Sequence, residues 1–461
     1  MARGQWQRRF CFDHWSSKEI DRCLAFAEDY RRFLTENKTE REVVATVRRL
    51  LQQRGFEEIS FTDRPNQNWR QLFLVNRDRA LILARRGQQP VSRGLRLIVA
   101  HIDSPRIDLK LLPLYEEEHL AFFKTHFYGG IKTYQWVALP LELRGVVIKP
   151  DGRRIEIKLG QEKGDPVLMI TDLLPHLAEK QFEKKLKEAI EGEQLNVLVG
   201  SRARKKGKKK VKAKILDLLR QKYQIEEEDF VSADLELVPA GPARDLGLDA
   251  SFIAGYGHDD RVCAWTALQA ALAVDDPPET SVIVLVDREE IGSMGNTGAT
   301  SSFVRDFIAN LVAAESGRFD ENQLRDTLAQ SRAISADVTA GLDPNYAEVS
   351  DPVTAVRLGA GIALEKTTAG RGKGGGNEAS AEFLAEIRRI WNQADIIWQP
   401  TSSIGKIDLS RGGTVSWFFA QHNIEVVDAG VPLFNMHAPF EIAHKGDIYA
   451  AYLAYRAFLA H

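Results

Sequence analysis

Leu95-Arg96-Leu97-Ile98-Val99-Ala100-His101 runs directly into Ile102-Asp103-Ser104-Pro105, the stretch LRLIVAHIDSP (95–105). Its first seven residues are almost wholly apolar. A strand with one wet face alternates apolar and polar residues, whereas a strand covered on both faces reads as a continuous apolar run. Polar residues then appear abruptly at the carboxyl end of the run. In an open α/β sheet that end is where ligands gather.

Working outward, the same signal recurs at Ala80–Ala84, Ser281–Val286, Ala333–Ala336 and Ile424–Val427. Helical patterns separate these runs at Val262–Val274 and Ser301–Ala314. A last helix is expected over Lys445–Leu459, with Ile448, Tyr449, Ala451, Tyr452, Tyr455 and Leu459 on its apolar face. Two helices open the chain. Ser16-Ser17-Lys18-Glu19 and Thr39-Glu40-Arg41-Glu42 both have capping-box spacing, and Gly55 stops the second helix. Strands alternating with helices predict an α/β fold with a mostly parallel central sheet flanked by helices.

The middle of the chain reads differently. Short alternating segments such as Leu139–Ile148 and Ile155–Leu159 are separated by the turn Pro150-Asp151-Gly152. A charged helix is expected over His176–Ile190. A basic run from Arg202 to Lys214 and an acidic patch, Glu226–Asp229, follow. This predicts a smaller β-rich domain at 111–237, inserted between a first part (1–110) and a second part (238–461) of the α/β domain.

Composition sets the outer limits. The chain has 461 residues, 44% hydrophobic, with 62 Lys plus Arg against 64 Asp plus Glu and a net charge of −2. That apolar content excludes a disordered chain, and the charge balance argues against a protein that coats nucleic acid. No stretch is apolar enough to span a membrane, and the first residues lack the apolar core of a signal peptide. Three cysteines do not make a disulfide framework. The expectation is a soluble, cytoplasmic protein.

Polar residues at strand and loop boundaries carry the chemistry. They are His101 and Asp103 after 95–100, Asp259-Asp260-Arg261 before the helix at 262, Glu289-Glu290 after 281–286, Asp337 after 333–336, and His437 in Met436-His437-Ala438-Pro439. Each alone has an ordinary reading: a helix cap, a solvated pair, a turn, a satisfied histidine. Together they form a His and carboxylate set without thiolates, which suits zinc, manganese or cobalt. A carboxylate can bridge two such ions, which then act together on a substrate. Asp103 is placed to orient the free ring nitrogen of His101.

At this point the chain resembles the aspartyl aminopeptidase family of co-catalytic dizinc aminopeptidases, bacterial branch. The carriers are AHIDSPR (100–106), FYGGIKTYQW (127–136), HDDRVCAW (258–265), VDREEIGSMGNTGA (286–299), SADVTAGLDPNY (335–346) and NMHAPFE (435–441), with Gly370-Arg371-Gly372-Lys373 pointing to the branch. The resemblance implies two divalent ions per subunit, held by His101, Asp259, Glu290, Asp337 and His437, with Asp259 as the bridge. It implies Glu289 as general base toward a water between the metals, and Asp103 as support for His101. His176, in LLPHLAEK, matches a histidine that the inserted dimerisation domain sends toward a neighbour's active site. Eukaryotic members carry a second histidine where this chain has Lys180. Homo-oligomers, typically tetrahedral dodecamers, come with the family.

The implied activity is removal of the N-terminal residue from peptides with a free amine. Acidic side chains would require a cation in the pocket. The segment where eukaryotic relatives supply a lysine matches Gly359–Lys366 here and places Ala363 at that point, with Lys366, Arg371 and Lys373 nearby. Acidic and neutral preferences both remain open. The alternatives are a related dinuclear hydrolase such as a deacylase, and a polyanion-binding scaffold using 202–214. The basic run lacks interleaved aromatics, so no nucleic-acid partner and no membrane partner is expected.

Overall fold

Strand Leu95–His101 is buried at every position. It lies between two parallel neighbours, Thr280–Val286 and Arg332–Ser335. The structure, a computed structural model, describes residues 6–370, 376–402, 404–409 and 412–461. Alternate residues of the strand feed two different cores. Ile98 and Ala100 join Leu81, Leu83, Ile283 and Leu285 in a core with Val43, Val47, Leu268, Trp391, Ile448 and Phe458. Leu97 and Val99 join Ile82, Val282 and Val284 in a second core with Phe307, Ile308, Leu311 and Leu324. Each face of the pleat is therefore dry, which is why the run never alternates. Truncating Ile98 to alanine would cost about 2–5 kcal/mol. The one charge in the run is satisfied. Arg96 pairs with Glu279 at 2.8 Å and Glu386 at 2.7 Å, and lies 5.0 Å over the Phe458 ring.

The chain divides into two compact units, one of residues 1–103, 243–436 and 441–461, the other of 104–242 and 437–440. The first unit contains a nine-stranded sheet. From edge to edge its strands are Glu57–Ile59, Gln71–Asn76, Ala80–Arg85, Thr280–Val286, Leu95–His101, Arg332–Ser335, Glu425–Gly430, Ile362–Glu365 and Trp398–Thr401. Five neighbouring pairs are parallel and three antiparallel. The expected α/β class with a mostly parallel sheet is what the structure has. A five-stranded sheet adds Arg244–Leu246, Phe252–Gly255, Glu441–His444, Pro432–Phe434 and Thr339–Ala340.

The helices follow their local signals. Ser16 caps Ser17–Glu36 by accepting from the Glu19 amide, and Thr39 with Glu42 forms a complete capping box on Glu40–Gln53. The last helix spans Lys445–Leu459. Among the described residues, no helix is long and apolar enough to cross a membrane.

The second unit holds a seven-stranded, wholly antiparallel sheet. Its order is Arg154–Leu159, Leu141–Ile148, Ala233–Pro239, Arg106–Glu117, Leu120–Tyr128, Val197–Gly200, Met169–Ile170. Its main segment starts at Ser104 and ends at Pro242, wider than the expected 111–237. The cause is pairing: Ile107 and Asp108 are registered with Leu237 and Glu236, so the first half of the long strand belongs to this sheet. The return of His437–Phe440 to this unit was not anticipated.

The charged helix expected over His176–Ile190 is not continuous. The segment forms a 3-10 turn, Pro175–Leu177, and two short helices, Glu179–Phe182 and Leu186–Ala189. The backbone is extended at Lys185 (φ −62°, ψ 144°). Leu177, Phe182 and Leu186 stay exposed, so no buried apolar stripe stabilises one long helix. The basic run is solvated at 202–210 and enters the helix Lys210–Tyr223. There Arg204 pairs with Asp217, and Lys212 with Glu227.

Candidate metal centre

His101 ends its strand, and its ring is almost fully buried. Nδ1 lies 3.0 Å from the Asp103 carbonyl oxygen. A proton on Nδ1 donates there and leaves the Nε2 lone pair for a cation. Nε2 is 3.1 Å from Asp259 Oδ1 and 3.9 Å from Asp337 Oδ1. These three residues form one group whose donor atoms all lie within 4.8 Å of one another, and His101, Glu289 and Glu290 form a second.

Three different local structures bring the carboxylates in. Asp259 follows the left-handed Gly257 at the start of the helix His258–Leu272, and its amide donates to Glu441 at 3.0 Å. It is not a capping side chain. Its neighbours turn inward. Asp260 is completely buried, and the Arg261 guanidinium donates to the Lys38 carbonyl at 2.7 Å. Glu289 and Glu290 sit on the 3-10 turn Glu289–Ile291, between left-handed Arg288 (φ 68°) and Gly292 (φ 93°). Asp337 lies just beyond strand Arg332–Ser335. Its carbonyl oxygen packs so tightly on Gly430 that a Cβ there would sit 1.7 Å away.

Asp103 does more than the sequence suggested. Its carbonyl meets the His101 ring, with the nearer carboxylate oxygen at 3.4 Å from Nδ1. Its carboxylate accepts the Glu289 and Glu290 amides, each at 3.2 Å. One residue thus sets both the histidine and the paired glutamates.

The electrostatics favour a cation. Burial pushes the Asp337 carboxyl well above the usual range; His101 opposes this, and Glu289, Asp259 and Asp428 reinforce it. Burial also raises Asp260, helped by Asp337. For His101, burial works to lower the pKa, but Asp103, Asp259 and Asp337 outweigh it and raise the pKa well above the ordinary value. Crowded carboxylates around one imidazole, with the Cys263 thiol held protonated by burial, fit a divalent ion bound through nitrogen and oxygen. Such an ion would offset the mutual repulsion of the acids.

His437 and His176 belong to the second unit. His437 has φ 65°, and its Nδ1 is 2.9 Å from the Gly130 carbonyl, within FYGGIKTYQW. His176 lies on the exposed turn Pro175–Leu177. Three residues escaped the sequence reading. Glu441, inside NMHAPFE, holds the Asp259 amide. Asp428 and Glu365 face one another across paired strands. Both stand in or at the end of apolar strands, the signal that singled out Asp337. Ala363 is buried in strand Ile362–Glu365, and Lys366 lies 3.6 Å from Glu378. Arg371, Gly372 and Lys373 lie outside the described residues.

An α/β sheet that gathers His101, Glu289, Glu290 and Asp337 at the carboxyl ends of neighbouring strands, with Asp259 at a helix start beside His101, fits the class of metal-dependent hydrolases. The family model for aminopeptidase I zinc metalloproteases (M18) matches residues 33–459, and the chain belongs to that family of zinc aminopeptidases. A probable M18 family aminopeptidase 1 of Clostridium acetobutylicum is 43% identical over 453 residues, 97% of each chain. The crystal structure of an M18 aminopeptidase from Thermotoga maritima matches with a TM-score of 0.94 at 41% identity, covering 99% of each chain. The S. cerevisiae mApe1 dodecamer shares the fold, with a TM-score of 0.76 at 19% identity over 95% of this chain and 96% of that one.

Proposed function

We propose that the chain is a dinuclear aminopeptidase in which His101 and Asp337 would hold one divalent ion and Glu290 and His437 the other, with Asp259 as the carboxylate both would share. Zinc is the family's metal; manganese and cobalt suit the same donors. When bound, the ions supply Lewis acidity toward the scissile carbonyl and toward water. Glu289 takes the proton of the attacking water and returns it to the leaving amine nitrogen. Asp103 fixes the Glu289 amide, so the base is aimed before substrate arrives. The carrying observation is the group His101, Asp259 and Asp337, whose donor atoms all lie within 4.8 Å of one another.

Lys366 lies beside Glu378, and the strand before it offers the apolar Ala363, so the described part of this segment presents no uncompensated cation for an acidic side chain. A neutral N-terminal residue is the preferred substrate on this reading. In the second unit, His176 lies among exposed Leu173, Leu174, Leu177 and Phe182. Exposed apolar clusters of this kind mark association surfaces. They support a homo-oligomer; the tetrahedral dodecamer as its form, and His176 as the residue offered to a neighbour, are part of the same proposal and follow the family resemblance.

Glu289→Gln tests the mechanism. Metal content is expected to stay at the wild-type level while kcat falls about 10²–10⁴-fold. Undiminished turnover in this variant would overturn the base assignment. A panel of aminoacyl chromogenic amides, run with zinc, manganese or cobalt, reads out side-chain preference. Cleavage of N-acylated amino acids but not of free-amine substrates would replace aminopeptidase with deacylase.

A further inference from the structure

The turn that carries Glu289 and Glu290 is gripped from a second side by an ion chain that reaches back to the N-terminal helices. Asp287 precedes the turn and is fully buried. Its Oδ2 accepts from Arg79 Nε at 2.9 Å and from Thr297 Oγ1 at 2.8 Å. The same guanidinium reaches Glu40 Oε1 at 2.6 Å, and Glu40, in the first turn of the helix Glu40–Gln53, is also fully buried. Arg79 follows the tight hairpin at Arg77 and Asp78, both left-handed, and is itself mostly buried.

The links between Asp287 and the glutamates are short and stiff. The Asp287 amide donates to the Thr297 carbonyl, the Ser293 amide to the Arg288 carbonyl at 2.7 Å, and the Gly292 amide to the Glu289 carbonyl at 2.9 Å. Arg288 Nε lies 3.2 Å from Thr297 Oγ1. The Asn76 side chain adds a bond to the Asn296 carbonyl at 2.7 Å. Asp103 holds the glutamate amides on one side, and Asp287 is anchored on the other. A planar guanidinium spans two carboxylates in fixed geometry, which a lysine ammonium cannot reproduce.

We propose that Arg79 is a positioning residue for the general base: the chain Glu40–Arg79–Asp287 fixes the turn 287–293 and thereby the placement of Glu289. This rests on the assignment of Glu289 as base. A displacement of about 1 Å at a reacting group is enough to cost about 100-fold in rate, and Asp287 is two residues from Glu289. Removing Arg79 takes away the guanidinium that ties buried Asp287 to buried Glu40, and with it the anchor that holds the turn in place.

The test uses the metal-loaded full chain. Arg79→Lys keeps the charge and loses the fork. Its kcat is expected to fall about 10- to 100-fold, with KM within about twofold of wild type and metal content unchanged. Arg79→Ala is expected to lose more and to recover activity when guanidinium ion is added, whereas methylammonium should not restore it. Wild-type kcat in folded Arg79→Lys would overturn the proposal, as would a loss that merely tracks lost metal or unfolded protein. If Arg79→Ala does not fold, Arg79→Lys decides alone. Glu289→Gln is measured in parallel. Full activity there refutes the base itself, while a dead Glu289→Gln beside an unaffected Arg79→Lys refutes only the positioning role.

Discussion

At the scale of single residues, the informative feature is a pair of buried acids with no cation paired to them among the described residues. Glu365 stands opposite Asp428 in antiparallel register, and both are buried. Burial and the Asp428 charge push the Glu365 carboxyl from 4.5 to about 8, and a hydrogen bond from Thr339 offsets this only in part. Asp428 lies at about 6, raised by burial and eased by Thr414, Ser335 and Ser416. A carboxyl whose folded pKa exceeds its unfolded value binds its proton more tightly when folded. It therefore withdraws stability as pH rises from about 4.5 to about 8, on the order of a few kcal/mol across the window. Glu365→Gln keeps the shape and removes the titration. Its thermal midpoint should exceed that of the wild type at pH 8–9, and the gap should close toward pH 5. An advantage for Glu365→Gln that stayed constant or widened below pH 6 would contradict this sign.

Elements form where local signals and tertiary burial agree. Thr39-Glu40-Arg41-Glu42 is a capping box in the sequence and a capping box in the structure, and it is backed by buried Val43, Val44, Val47 and Leu51. Thr39→Ala should lower stability by about 1 kcal/mol, and Thr39→Ser should restore most of it, measured by urea denaturation. Strand Leu95–His101 was legible to the residue because burial of both faces writes itself as composition. Gln71–Asn76 and Trp398–Thr401 were missed. The first offers just the four-residue run Leu72–Val75 between polar Gln71 and Asn76, and the second is interrupted by Gln399 and Pro400. Segment 176–190 shows the opposite failure. Its composition suits a helix, but helix propensity without a buried face did not hold one together. Among the site residues, Asp103 shows the limit clearly. Its spacing from His101 revealed one partner, while its grip on the Glu289 and Glu290 amides depends on strand pairing that no local pattern encodes.

For the molecule as a whole, the proposed ligands come from segments far apart in sequence, so metal binding should couple to folding. His101, Asp259, Glu290 and Asp337 follow three neighbouring strands or open a helix that packs on them, and none is adjacent in sequence to another. Without cations, burial and mutual repulsion raise the Asp337 carboxyl, and the surrounding acids raise His101. Both groups thus keep their protons to higher pH than usual in the metal-free chain. Divalent ions must displace those protons, since they bind imidazole nitrogen and carboxylate oxygen in their deprotonated forms. Titrating zinc into the metal-free protein at pH 7 should therefore release protons, seen as a binding enthalpy that changes with the ionisation enthalpy of the buffer. The proton release should shrink as pH rises through the raised pKa values, and apparent affinity should rise with it. The ions should also stabilise the fold, by about 2.7 kcal/mol per site at a hundredfold excess over Kd. Chelation should then abolish peptidase activity and lower the thermal midpoint by several degrees, with both recovered on adding zinc. A melting curve indifferent to chelator, or a zinc enthalpy independent of buffer, would show that the carboxylate cluster is held together without metal.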